Sequence, residues 1–198
     1  MNFHFILFQP IAIMLTLGAG LALLLTNNWR VFLLALAAQY FGVFILVAGY
    51  WDLGLAAVKL VVGWMTVAIL GASEPGDLYR LPFSSSRTGL IFRFLTIVVV
   101  GLLVNAFSES FANWLLIDNV VAVSGLLLFV GGILQIGFSG SILRRTVGVL
   151  SVLSGFEIIF SPLTDSVLLA GLIALIHLGI GLAETYWINL EEAEEGTL

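Results

Sequence analysis

Apolar residues run along this chain in blocks of roughly twenty, and the polar residues collect in short breaks between them. A helix needs ~20 mostly apolar residues to cross the hydrocarbon core of a bilayer. Read at that length, the pattern predicts seven helices, near Phe5–Leu25, Val31–Tyr50, Leu53–Ala72, Gly89–Ala106, Val120–Phe138, Thr146–Phe160 and Leu163–Trp187. The breaks fall at Thr26–Arg30, Trp51–Asp52, the Pro/Gly/Ser-rich loop Ser73–Thr88, Phe107–Asn119, Gly140–Arg145 and the Ser161–Pro162 turn. Barrel strands would alternate apolar and polar residues over short segments, and the unbroken runs do not. The expected fold is therefore an all-α integral membrane protein, a bundle of seven transmembrane helices.

Composition closes off the soluble alternative. Of 198 residues, 61% are apolar and only 10% are charged, where soluble domains carry roughly 25% charged residues to hydrate their surface. Met1–Phe5 lacks the basic start of a signal peptide, so the first apolar run reads as a retained helix. With no cysteine, a disulfide frame and cysteine-ligated metal or iron–sulfur sites are excluded. Much of the net charge of −5 comes from the glutamates of Glu191–Glu195, which read as a solvated terminus.

Positive charge orients the spans. Arg30, Arg80, Arg87, Arg144 and Arg145 all fall on one side of a seven-span chain, and Arg93 lies just inside the fourth helix near that same face. The opposite breaks hold no lysine or arginine. By the positive-inside rule the N-terminus is expected outside and the acidic C-terminus in the cytoplasm, in a multi-pass protein of the cytoplasmic (inner) membrane. The chain then divides into a three-helix block (1–72), a middle part with a loop, the fourth helix and an external loop (73–119), and a second three-helix block with the acidic tail (120–198). A three-plus-three repeat is conceivable in such a chain, although the two blocks share no clear sequence echo.

Ionisable residues at membrane depth are the functional candidates, because they are costly there and face other helices or water. Glu157 and His177 fall near the middle of the sixth and seventh helices, and Lys59 lies in the third. At 100° per residue, Ser166, Ala170, Ala174, His177, Gly181 and Glu184 share a sector of about 80° on the seventh helix. Similar small or polar stripes are Ser124, Gly131, Gln135 and Ser139 on the fifth, Ser154, Glu157 and Ser161 on the sixth, and Asp52, Ala56, Lys59, Gly63 and Thr66 on the third. Such stripes serve close packing as readily as function. A mid-depth carboxylate must be protonated, paired or hydrated, and a neighbouring imidazole suits it as a proton partner. The alternative for Glu157 and His177 is a structural hydrogen bond between helices. Lys59 has three ways to be satisfied: snorkelling outward, pairing with Asp52, or pairing internally with Glu157. Glu184, near the cytoplasmic end, is either interfacial or part of the same path, and Gln135 completes the candidates. Trp64, Trp114, Trp187, Tyr50 and Tyr186 read mainly as interface anchors, and His4 is given no role.

No nucleotide-binding glycine motif, metal-binding histidine pair or nucleophile elbow is present, and a bis-histidine haem is improbable with only two histidines. The chain is accordingly read as a non-enzyme with no cofactor, no metal and no nucleic-acid partner.

One further pattern links Leu127–Trp187 to a known family. An apolar helix ends in Arg144-Arg145, the next holds Leu153-Ser154-Gly155-Phe156-Glu157, and a third holds Ala174-Leu175-Ile176-His177-Leu178-Gly179-Ile180-Gly181. This resembles the three-helix NuoK/MrpC type of membrane subunit of respiratory complex I, membrane-bound hydrogenases and multisubunit cation/proton antiporters. It is more similar still to the longer component E subunits of hydrogenase-4-type complexes, which Ala56-Ala57-Val58-Lys59-Leu60-Val61-Val62 also resembles. In the family pattern two such helices carry a carboxylate each; Glu157 matches the first, and His177 stands where the second would be. The resemblance implies a non-catalytic subunit of an ion-translocating assembly, beside antiporter-like membrane subunits, with Glu157, His177 and Lys59 along a proton or cation path. A purely structural subunit and a small stand-alone transporter are the alternatives.

Overall fold

The computed structural model describes residues 3–26, 28–73, 87–138 and 141–195, which form seven helices and no strand. These are α1 (Phe3–Leu25), α2 (Trp29–Val47), α3 (Leu53–Ser73), α4 (Arg87–Leu115), α5 (Asn119–Phe138), α6 (Ile142–Phe160) and α7 (Val167–Glu195). The expected loop around Arg80 lies outside the described residues. Five helices, α2, α3, α4, α5 and α7, are long and apolar enough to cross a membrane. Over Gln9–Leu25, α1 is apolar but shorter, and α6 carries three charged residues, Arg144, Arg145 and Glu157. The chain is a multi-pass helical membrane protein.

Four boundaries differ by four residues or more from the sequence pattern, one of them the start of α7, which is Val167 and not Leu163. The expected break at Phe107–Asn119 is mostly helix, because α4 continues through Leu115. It ends without a glycine: Leu116 takes the left-handed conformation (φ 57°), and the Ile117 N–H reaches back to the Ala112 carbonyl. A non-glycine residue at this C-terminal stop costs roughly 1–2 kcal/mol, and Leu116 is almost fully exposed. The break at Gly140–Arg145 is also shorter than expected. Ser141 caps α6, its hydroxyl accepting from the Arg144 N–H, so both arginines belong to the helix and not to a loop. Finally, the acidic stretch Glu191–Glu195 continues α7 as helix.

The helices stack as two rows of three. In one row α1 packs on α2 and α2 on α3, and in the other α5 packs on α6 and α6 on α7. Each helix of the first row also meets its counterpart in the second: α1 on α5, α2 on α6 and α3 on α7. Outside both rows, α4 leans on α5, with 11% of its span buried against 56% for α2. Its apolar residues, such as Phe92, Leu95 and Leu102, face outward on most sides, as lipid-facing residues do.

The tightest contact is the seam between α5 and α6. A Cβ on Gly155 would stand 2.5 Å from the Phe129 nitrogen and 2.7 Å from the Gly125 carbonyl oxygen, and one on Gly132 would meet the Gly148 carbonyl at 2.5 Å. Only glycine permits this approach, which replaces hydrophobic driving force with backbone van der Waals contact. The sequence stripe had placed Gly131 in this role. Gly131 instead has open space where its Cβ would be, and the seam uses its neighbour Gly132.

Candidate functional site

Row stacking brings α3, α6 and α7 together at one end of the bundle. On α3, the Asp52 carbonyl accepts the Ala56 N–H at the helix start, and from there Ala56, Lys59, Gly63 and Thr66 turn inward and are buried. Asp52 itself is exposed. On α6 the inward face carries Ser151, Ser154 and Glu157, and on α7 it carries Ala170, Ala174, His177, Gly181 and Glu184.

Where these faces meet, three ionisable side chains converge. Lys59 Nζ lies 2.5 Å from Glu157 Oε2 and 2.9 Å from His177 Nε2. All three residues are at most 3% exposed. Of the three arrangements open to Lys59, this is the internal pair with Glu157, joined by the histidine. A lone buried charge is prohibitive, whereas an ion pair with further hydrogen bonds is tolerable.

The histidine tautomer follows from its partners. His177 Nδ1 lies 2.8 Å from the Ile173 carbonyl oxygen, which can only accept, so Nδ1 carries the hydrogen. Lys59 Nζ, 2.9 Å from Nε2 and 3.4 Å from Nδ1, lies over the face of the imidazole and not in line with the Nε2 lone pair. Lys59 thus touches both the Glu157 carboxylate and the His177 imidazole. Tyr40 of α2 closes the site: its ring centroid is 5.5 Å from Lys59 Nζ and its ring meets that of His177 edge-on at 5.9 Å. A Cβ on Gly63 would enter that ring, 2.5 Å from Cγ, so glycine is what lets Tyr40 lie against α3. The ring adds a cation–π contact on a third side of the ammonium.

Sequence reasoning missed the second layer. Gln39 of α2, fully buried, donates to Ser151 Oγ of α6 at 3.0 Å. Both Tyr40 and Gln39 sit inside an apolar run, and Gln39 is its single amide, a signal available but unused. Ser154 Oγ, Tyr40 OH and Gln39 Oε1 are buried with no protein hydrogen-bond partner. Of these, Ser154 lies one turn from Glu157 on α6, and Gln39 is held to Ser151 one turn further on.

At the other end of α6 stand the remaining candidates. The Thr146 hydroxyl donates to Glu184 Oε2, joining α6 to α7, and Gln135 Nε2 donates to the Arg144 carbonyl at 3.2 Å. Neither Glu184 nor Gln135 is among the side chains that contact Lys59. Arg144, expected in a loop, is 3% exposed. Its guanidinium donates to the Leu23 and Thr26 carbonyls at the C-terminal end of α1 and lies 5.1 Å from the Phe32 ring centroid.

The aromatic residues divide. Trp114, Tyr186 and Trp187 are exposed, as anchors would be. Trp64 stands mid-helix in α3 and donates to the Ala37 carbonyl of α2 at 3.2 Å. Trp51, 4% exposed, donates to the Thr164 carbonyl at 2.8 Å, and Tyr50 donates to Asp118 at 2.6 Å. These two pin the turn after α2 to the turns before α7 and α5. Among the described residues no three His, Asp or Glu side chains converge as a metal ion would require.

The fold and its buried charges thus define a multi-pass helical membrane protein with an ionisable centre. No protein-family model matches the chain, and neither a curated protein nor a solved structure matches it.

Proposed function

We propose that this chain is a seven-span, non-catalytic membrane subunit of an ion-translocating assembly, related to the complex I-like and hydrogenase-like group, in which Lys59, Glu157 and His177 handle protons. The observation that carries the reading is the convergence of these side chains from three helices in a lipid-embedded interior. A structural pair would need two partners of opposite charge. Here a third titratable group, the His177 imidazole, lies against the same lysine nitrogen.

That arrangement can couple protonation to charge movement. Protonating Glu157 removes the counter-ion of Lys59 and strands a buried cation. Lys59 then sheds a proton to become neutral, and the proton moves on through His177, whose ring lies against Nζ, when that ring turns its Nε2 toward the amine. A charge arriving on one helix is thereby handed to another, in a site with few competing donors. Ser154, Gln39 and Ser151 add polar side chains along α6 on the side toward Thr146 and Glu184.

The distribution of charge at the helix starts supports the orientation. Arg30, Arg93, Arg144 and Arg145 lie at the beginnings of α2, α4 and α6, whereas Asp52, Asp118 and Asp165 precede α3, α5 and α7. Arginine is unfavourable at a helix N-terminus, so its placement there answers to the membrane, with the arginine-rich end cytoplasmic in a cytoplasmic membrane. The partners on this reading are larger, antiporter-like membrane subunits.

The test is Glu157→Gln and His177→Ala in the assembled complex. Loss of coupled proton translocation with assembly intact is expected. Unchanged translocation in both variants would leave a purely structural subunit, and ion transport by the purified chain in liposomes would make it a stand-alone transporter. Copurification should bring an antiporter-like neighbour.

A further inference from the structure

Away from the triad, α1 and α4 both pack on α5 while leaving a gap between them. The gap is a cavity of about 210 Å³, walled by Leu17 and Leu24 of α1, Ile97 and Gly101 of α4, and Gly131 and Leu134 of α5, with Gln135 at one end. Its lining is almost wholly apolar. An apolar cavity of even ~150 Å³ stays dry and takes up a hydrocarbon ligand, and here the surrounding medium is itself hydrocarbon chains. The glycines make the space: a side chain on Gly101 or Gly131 would meet no atom within 4 Å of its Cβ.

The end marked by Gln135 is cationic. Arg93 lies one turn before Ile97, on the same face of α4 as Val100 and Gly101. It is half-buried, donates to the Phe138 carbonyl at the end of α5 (3.3 Å), and stacks on the Phe138 ring at 5.7 Å. Arg144, whose carbonyl holds Gln135, is near enough to Arg93 to feel its charge. An apolar slot with the Arg93 guanidinium one helical turn beyond its Ile97 wall suits an amphiphile with an alkyl chain and an anionic head. Basic pockets between membrane helices hold anionic lipid headgroups, and a guanidinium fork fits phosphate oxygens.

We infer that the α1–α4–α5 cavity is a binding site for one anionic phospholipid, an acyl chain lying along Gly131 and Gly101 and the phosphate resting at Arg93. The lipid fills the gap that α4 leaves and ties that helix, which packs mainly on α5, to α1. The site is separate from Lys59, Glu157 and His177 and does not depend on their function.

Native mass spectrometry of the full chain, reconstituted in nanodiscs of mixed phosphatidylglycerol and phosphatidylcholine and then released, tests this. The wild-type chain is expected to retain one phosphatidylglycerol. Gly131→Leu, which fills the slot without meeting the backbone, loses it, and Arg93→Gln retains a lipid with no preference for the anionic headgroup. Gly101→Leu, on the opposite wall, gives the same loss and covers the case in which Gly131→Leu misfolds. Retention of no lipid by the wild-type chain, undiminished retention in both glycine variants, or retention of phosphatidylcholine in equal measure would overturn the assignment.

Discussion

Among the described residues two cations are buried, and they are satisfied in opposite ways. Lys59 meets side chains only: a carboxylate, an imidazole and an aromatic ring, from three other helices. Arg144 meets main-chain carbonyls, those of Leu23 and Thr26, at the end of α1. The α1 terminus leaves carbonyls without intrahelical partners and carries the negative end of the helix dipole, so a fixed cation there is a cap. Guanidinium does not titrate in the working range, and its acceptors are permanent. Lys59 sits among groups that can each gain or lose a proton. Charge of the same sign is thus a structural cap at one end of the bundle and a titratable centre nearer the middle, and the partners decide which.

The contrast breaks most sharply at Glu157. Glu157→Ala should lower stability by about 3–5 kcal/mol, since it leaves Lys59 buried and unpaired. The double change Lys59→Met with Glu157→Leu should recover most of that loss, because both charges are gone. Thermal unfolding of the detergent-solubilised chain measures both, and additive losses would mean that the two groups are not coupled. At Arg144 the corresponding loss is about 1.5–3 kcal/mol for Gln, the scale of hydrogen bonds to a charged group. Arg144→Lys should not restore it, because the Leu23 and Thr26 carbonyls are bound by two separate guanidinium nitrogens, which the one nitrogen of an ammonium cannot replace; full rescue by lysine would show that charge alone suffices.

Between the two centres, Gln39→Leu should cost about 0.6–1.7 kcal/mol, the range of interhelical hydrogen bonds in membranes, and leave Arg144's contacts untouched. The smallest effect belongs to Tyr50 at the bundle's surface. Burial, and then the Asp118 carboxylate, push its phenol above its ordinary value of 10.0. The folded chain holds this proton more tightly than the unfolded one, so its contribution is complete below pH 10 and fades as pH rises above that. Tyr50→Phe should lower stability near neutrality by about 0.5 kcal/mol, the low end for an exposed hydrogen bond, and flatten the alkaline side of the stability–pH profile.

Much of this was readable from residue order. Lys59, Glu157 and His177 stood out because each is ionisable within an apolar run, and helical periodicity placed them on the faces that are in fact buried. Which groups met was not readable. Lys59 had Asp52 on its own helix face as an alternative, and it lies 118 positions from His177. Arg144 read as a loop arginine because its carbonyl partners are generic backbone atoms with no residue signature. The choice of Gly132 over Gly131 at the α5–α6 seam turned on a rotation of one residue, finer than any stripe of small residues resolves.

The sequence by itself determined that the chain lives in lipid as helices, where most of them begin and end, and which residues are too polar to face hydrocarbon. Those outcomes depend on local terms: the transfer of side chains out of water and the need of each backbone segment to satisfy itself. Tertiary structure alone decided that the helices stack in two rows with α3 on α7, that Lys59 is shared by Glu157 and His177, and that Arg144 caps α1. These depend on shape between distant segments, on glycines that allow backbones to touch, and no local preference encodes such a fit.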